Sequence, residues 1–200
     1  MYLTVLKMTR QSVLSAPKLL DVQSTNSVHQ WLTGRQDKSR AENKLLYKII
    51  TNGDEIYLYI QSLSEFNTEN VGAVGFELVK VFDLDSRNYE ELTYFDVQTF
   101  PYKTVNDKRY YIKDTAERYD WLKRQFEKNG IELLDFTEYK QSDTFLLFRR
   151  FFLDNNQLKR IPTSSFRGRM KVVDPIKAEI FITNGMGRMK NYGLGLILVK

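Results

Sequence analysis

Residues 174–200 read DPIKAEIFITNGMGRMKNYGLGLILVK, and the order of signals within them decides the fold. Asp174-Pro175 is an N-cap with proline at the first helical position. Ile176, Ile180 and Phe181 then share one helical face, and Gly185 ends the helix. The loop that follows holds Gly185, Gly187, Gly193 and Gly195, with Arg188 and Lys190 among them. Glycine lets a backbone approach a ligand closely, and successive N–H groups in such a loop form a concave anion site. A nucleotide-binding glycine loop would open into a helix. Here Leu196-Ile197-Leu198-Val199-Lys200 follow, which suit a buried strand and are too few for a helix. The loop therefore joins a helix to a strand.

Working back toward the N-terminus, the same kinds of signal recur. Residues 2–8 read as a strand. Ser24-Thr25-Asn26 supply cap-type residues ahead of Val28, Trp31 and Leu32, which share a helical face, so a helix is expected over about 26–36. Strand-like runs at 45–50 and 56–61 are joined across Thr51-Asn52-Gly53-Asp54, a hairpin signal. Residues 63–73 read as loop or a weak helical turn, and 76–84 as a strand. The polar segment 83–91 is the linker candidate. Beyond it a long strand over 92–102 is expected, with a turn at Asn106-Asp107. A helix follows, capped by Asp114 with Glu117, striped by Tyr119, Leu122 and Phe126, and stopped at Asn129-Gly130. Strands are expected at 131–139, 144–153, 157–161 and 166–173, the middle two turning at Asp154-Asn155-Asn156. Element order thus nearly repeats, which predicts an α+β chain of tandem ferredoxin-like domains, the RRM-like architecture, over 1–85 and 91–200. No sequence repeat accompanies it.

Composition narrows the function classes. A 200-residue chain with 42% hydrophobic content has enough material for one core or two small ones. No apolar run of membrane-spanning length and no charged leader is visible, so a cytoplasmic protein is expected. With no cysteine and one histidine, disulfides, thiolate sites and ordinary zinc sites are excluded, and no cofactor or metal is expected. A carboxylate-held magnesium site stays open on composition alone. Charge is divided unevenly: residues 1–148 hold 19 Lys/Arg against 22 Asp/Glu, and residues 149–200 hold 11 against 3. A basic region beside a glycine loop is the footprint of polyanion binding, although a solvated basic face would look the same.

At this point the motifs add up to a resemblance. Met1-Tyr2-Leu3-Thr4, the helix with Val28-His29-Gln30-Trp31-Leu32, Leu46-Tyr47-Lys48-Ile49, the Trp121-Leu122 helix ending at Gly130, and Gly185-x-Gly187-x-x-Lys190-x-Tyr192-Gly193-x-Gly195-Leu196 lie in order along the whole chain. Together they resemble the CasE family, the CRISPR-associated endoribonuclease of the type I-E Cascade system. The resemblance implies two ferredoxin-like domains, binding of the CRISPR repeat stem-loop, metal-independent cleavage at the 3′ base of the stem, and retention of the product hairpin with the other Cascade subunits. It assigns catalysis to His29. The family tyrosine three residues earlier is Asn26 here, which leaves the second catalytic role in doubt.

Histidine suits proton transfer near neutral pH. On its own, a lone helical histidine reads as structural. At about 100° from Val28, however, it falls at the edge of the apolar stripe, where it is anchored yet accessible. Asn26 can donate a hydrogen bond but cannot act as a general acid, and a helix-cap role suits it as well. The RNA-binding candidates are Arg35, Lys38 and Arg40 after the His29 helix; Arg149, Arg150, Lys159 and Arg160 flanking the expected hairpin turn; and Arg167, Arg169 and Lys171. Gly185, Gly187, Arg188, Lys190 and Gly193 join them from the glycine loop. The aromatic residues are assigned to the core by default. Two other functions fit part of the pattern. A non-catalytic RNA-hairpin-binding subunit would explain the basic region and loop equally well. Lys190-x-x-Gly193-x-Gly195 also approaches an acyl-CoA phosphate loop, but that loop must lead into a helix.

Overall fold

The computed structural model describes residues 1–9, 11–12, 25–35, 39–84, 92–139, 145–149 and 158–200; for 25–27, 40, 145–149 and 158–161 it describes the backbone alone. Residues 85–91 of the expected linker, the turn at 154–156, Lys38 and Arg150 lie outside the described residues, as do the side chains of Asn26, Arg40, Arg149, Lys159 and Arg160. Two compact units make up the chain. The first comprises Met1–Ser86, Leu146–Ile161 and Asn191–Gly193; the second comprises Arg87–Phe145, Pro162–Lys190 and Leu194–Lys200.

In the first unit, β1 (Tyr2–Thr9) leads to α1 (Thr25–Thr33), the short α2 (Arg40–Asn43), β2 (Leu46–Asn52), β3 (Glu55–Ser62), a 3-10 turn (Val71–Val74) and β4 (Glu77–Asp83). The strands form one antiparallel sheet in the order β2-β3-β1-β4. The β2–β3 pairing runs from Leu46↔Gln61 to Asn52↔Glu55. Its turn is therefore Gly53-Asp54, and Gly53 takes φ 59° at the first central position, a conformation that costs glycine nothing. Helix α1 stops at Thr33, earlier than expected, because Gly34 and Arg35 turn the chain back through bonds to Gln30 O and Leu32 O. Leu6, Val28, Leu32, Leu45, Leu58, Ile60 and Phe66 are buried in its core.

The second unit begins with β5 (Thr93–Thr99) and the hairpin of β6 (Tyr102–Val105) and β7 (Lys108–Tyr111). The single long strand expected over 92–102 is thus two, because Pro101 has no N–H for a ladder and breaks the pairing there. Asn106 and Asp107 both have positive φ, 47° and 59°, as a two-residue hairpin turn requires. Helix α3 (Thr115–Glu127) leads into β8 (Ile131–Tyr139). The chain then passes back through the first unit, to which all but the outer ends of β9 (Phe145–Arg149) and β10 (Leu158–Pro162) belong, and these two strands pair as a separate two-stranded sheet. Then β11 (Ser164–Val172), α4 (Pro175–Asn184) and β12 (Ile197–Val199) complete the second unit. The main sheet has the order β12-β5-β11-β8, again antiparallel. Numbered within each unit, both sheets have the fourth strand beside the first and the third beside the second. Tandem ferredoxin-like folds are the result.

The core of the second unit is aromatic. Phe95 and Phe126 have ring centroids 4.9 Å apart, and Phe181 meets Phe126 edge-on at 5.5 Å. One expectation holds only in part: of the face expected from Ile176, Ile180 and Phe181, Phe181 is buried together with Ala178 and Ile182, whereas Ile176 and Ile180 are 73% and 56% exposed. Both sets fit a helical period. The buried set joins the core of the second unit, and the chain enters α4 through its N-cap Asp174, whose N–H is bonded to Gly130 O in the turn after α3. Among the described residues, no helix is long and apolar enough to cross a membrane.

Candidate nucleic-acid interface

Helix α1 carries the single imidazole of the chain. Val28 and Leu32 are fully buried against the first sheet, and Trp31 packs on Phe66 and Phe76 at centroid distances of 6.1 and 5.6 Å. His29 lies beside this stripe, half-buried. The helix backbone at His29 is tied down by Thr33, whose hydroxyl donates to His29 O at 3.0 Å. Arg35, at the end of the same helix, stands 4.6 Å over the Trp31 ring and donates to Glu69 O and Asn70 O. Its guanidinium thus fastens α1 to the segment before the 3-10 turn.

The glycine loop begins at the C-terminal end of α4. Gly185, Gly187 and Met189 all have positive φ (69°, 73° and 63°), alternating with Met186 and Arg188, so the backbone curls repeatedly. Lys190 bends back and donates to Asn184 O at 2.6 Å, satisfying a carbonyl left open by the end of α4. Arg188 is exposed. The loop is anchored through Gly195: its N–H donates to Gln98 O at 2.8 Å and its carbonyl accepts from Met186 N at 2.8 Å. A Cβ on Gly195, which has φ 81°, would collide with the Met186 carbonyl. Asn191–Gly193 belong to the first unit. There the Tyr47 hydroxyl donates to Asn191 O at 3.1 Å, and a Cβ on Gly193 would lie 2.9 Å from the Tyr47 ring.

Strand β11 brings three of the cations together. Its alternation buries Phe166, Met170 and Val172 and exposes Arg167, Arg169 and Lys171 on the opposite face. Arg167 lies 4.9 Å over the ring of Tyr139, whose hydroxyl donates to Asp96 at 2.7 Å. Arg169 makes an ion pair with Asp135 and holds that carboxyl below its ordinary range. Sequence reasoning missed these partners because they come from β5 and β8, far away along the chain. Of the basic hairpin candidates, Arg149 and Lys159-Arg160 fall on β9 and β10, which pair. Among the described residues, no three His, Cys, Asp or Glu side chains converge as a metal site.

Comparison with known proteins now adds to the geometry. A family model described as CRISPR associated protein matches residues 1–200. The endoribonuclease Cse3 of Thermus thermophilus is 36% identical over 99 residues, 46% of this chain and 46% of the relative, so the match spans about half of that protein's length. Two solved structures share the fold at lower identity. One is CRISPR endoribonuclease Cse3 bound to a 19-nucleotide RNA, with TM-score 0.86, 24% identity and full coverage of both chains. The other is a chain of a CRISPR RNA-guided surveillance complex, with TM-score 0.69, 20% identity, and coverage of 100% of this chain and 98% of the other. With the family model matched from the first residue to the last, this chain belongs to the CRISPR-associated protein family, and its motifs resemble the CasE members.

Proposed function

We propose that this protein is a metal-independent endoribonuclease that binds the stem-loop of a CRISPR repeat transcript and cuts at the 3′ base of the stem. It then retains the hairpin within a Cascade-type assembly in the cytoplasm. The observation that carries the reading is His29, half-buried at the edge of the apolar stripe of α1, at the position the family resemblance assigns to catalysis. Support comes from the family match over all 200 residues and from relatives described as an endoribonuclease, as RNA-bound, and as part of an RNA-guided complex.

The chemistry follows from RNA itself. The 2′-hydroxyl of the nucleotide before the cut attacks the adjacent phosphorus in line with the departing 5′ oxygen. His29 moves a proton in this exchange, taking it from the attacking hydroxyl or giving it to the leaving oxygen. The products are a 2′,3′-cyclic phosphate and a 5′-hydroxyl. Negative charge builds on the phosphorane oxygens, and the cations of the C-terminal region together with the glycine loop supply fixed positive potential for the RNA backbone. Asn26 falls inside the first turn of α1 and not at its cap; an amide can donate a hydrogen bond but cannot transfer the second proton, which is exchanged with solvent.

Incubating the protein with the repeat RNA of its own host, in excess chelator, and identifying the ends tests the whole reading. Cyclic phosphate and 5′-hydroxyl ends are expected. His29→Ala should abolish cleavage while hairpin affinity stays within a few fold; cleavage that survives in this variant removes the mechanism. The second reading, a hairpin-binding subunit without catalysis, is favoured by the basic region alone, and intact RNA bound tightly by the wild-type protein would establish it.

A further inference from the structure

We propose that the open face of the second unit's sheet holds a single-stranded stretch of RNA next to the hairpin, with an unpaired base stacked on Tyr94 and the backbone followed by Arg167, Arg169 and Lys171. The proposal rests on the RNA-processing reading above and extends it to a sheet face of the second unit, which does not carry His29. A concavity of about 600 Å³ lies on this face, lined by Tyr94 and Asp96 from β5, Arg167 and Arg169 from β11, and Asp135 and Thr137 from β8. All six residues belong to the second unit.

Three observations point to single-stranded RNA. First, the exposed cations of β11 recur at every second residue, which spaces them about 6.6 Å apart along a strand. That separation is close to the one between successive phosphates of an extended RNA chain. Second, Tyr94 is 56% exposed on a sheet face, outside the aromatic core to which Phe95 next to it contributes. A tyrosine ring so placed is a stacking platform for any base. Third, the face holds carboxylates as well as cations. Asp96 and Asp135 sit directly opposite Arg167 and Arg169 in neighbouring strands. A surface serving only duplex phosphates would be weakened by them, whereas unpaired bases present amino and imino groups that a carboxylate accepts.

The carboxylates also hold the cations in place. Asp135 grips Arg169, and Asp96 fixes the Tyr139 ring on which Arg167 lies. Side chains held this way lose less freedom on binding. Gly168 allows the close packing beneath them, since a Cβ there would meet the backbone of Asp135 and Phe136. An A-form stem hides its base edges in a deep major groove, so a duplex would leave Tyr94 and both aspartates without a role.

Fluorescence-polarisation titrations with an RNA already ending at the 3′ base of the stem separate the possibilities. One version is the hairpin alone, and the other carries about eight unpaired nucleotides on its 5′ side. The flank should tighten binding. Tyr94→Ala should remove roughly five- to a hundred-fold of that gain and leave the bare hairpin unaffected, while Tyr94→Phe, which keeps the ring, retains it. Replacing Arg167 and Lys171 with glutamine should flatten the salt dependence of the flanked RNA by about 0.7 in log–log slope for each phosphate left without its cation. A flank that adds nothing, or a gain untouched by Tyr94→Ala, overturns the proposal. So does a Tyr94→Ala protein that keeps the gain but assembles poorly with the other complex subunits, which would make the face a protein surface. Failure of the wild-type protein to bind the bare hairpin sinks the RNA-processing reading instead; binding of the flank as a free oligonucleotide then decides this one.

Discussion

Arg118 does more for the second unit than its place on a charged helix suggests. Its Nε donates to both carboxylate oxygens of Glu138, at 2.9 and 3.0 Å, and its NH2 group adds a bond of 2.7 Å to Glu138 and one of 3.0 Å to Thr115. NH1 reaches Ile112 O at 3.3 Å, and the two side chains are only 12% and 18% exposed. Removing the guanidinium leaves a shielded carboxylate and a carbonyl without their donor. Arg118→Met should therefore cost about 2 kcal/mol in a urea titration, and Arg118→Lys should recover little of it, because a point charge cannot replace the fork. Gly195 is similarly decisive. Gly195→Ala combines a disfavoured positive φ with a collision against the Met186 carbonyl, and should lower the midpoint of thermal unfolding by about 5 °C or more. The Arg118–Glu138 pair was illegible in the sequence because α3 and β8 become neighbours only after folding. His29 was singled out by a resemblance, and periodicity added only that it borders the buried stripe, which is where α1 holds it.

Elements were legible where a local rule decides them. The Asp114 side chain accepts from Glu117 N at 2.8 Å, as the capping pattern predicted, and α3 runs from Thr115 to Glu127 on that cap. Asp114→Ala should destabilise the protein by about 1 kcal/mol, whereas Asp114→Asn should be nearly neutral; helical circular dichroism followed through denaturation checks both. The two-residue turn at Asn106-Asp107 was recognised on the same local grounds. Helix α4 was not fully legible. Phe181 can share a face with Ile176 and Ile180 or with Ala178 and Ile182, so two stripes compete and the sequence cannot rank them. The outcome depends on how the chain enters the helix from Gly130 and Asp174, and only the fold sets that. The face of β11 presents the same difficulty: alternation marks Arg167, Arg169 and Lys171 as outward, but it cannot name Asp96, Asp135 and Tyr139 as their neighbours.

Over the whole molecule, the uneven charge makes a quantitative demand on the proposed function. The last 52 residues carry a net +8 while the rest carries −3. Some of the +8 has structural employment: Lys177 is paired with Asp174 at 2.9 Å, and Lys190 with the end of α4. The number of cations that meet RNA phosphates should therefore be smaller than the charge count suggests. If about five cations meet phosphates of the hairpin, counterion release predicts that log Kd rises with log salt at a slope of about 4. A fourfold increase in salt would then weaken binding by roughly two orders of magnitude. Titrations of the bare hairpin across that range check the expectation. A slope near 1 would leave the basic region as a solvated surface, and specificity would have to come from groups other than phosphate. A slope of 4 that falls when Arg188 is replaced by glutamine would place the loop's exposed cation on the RNA backbone.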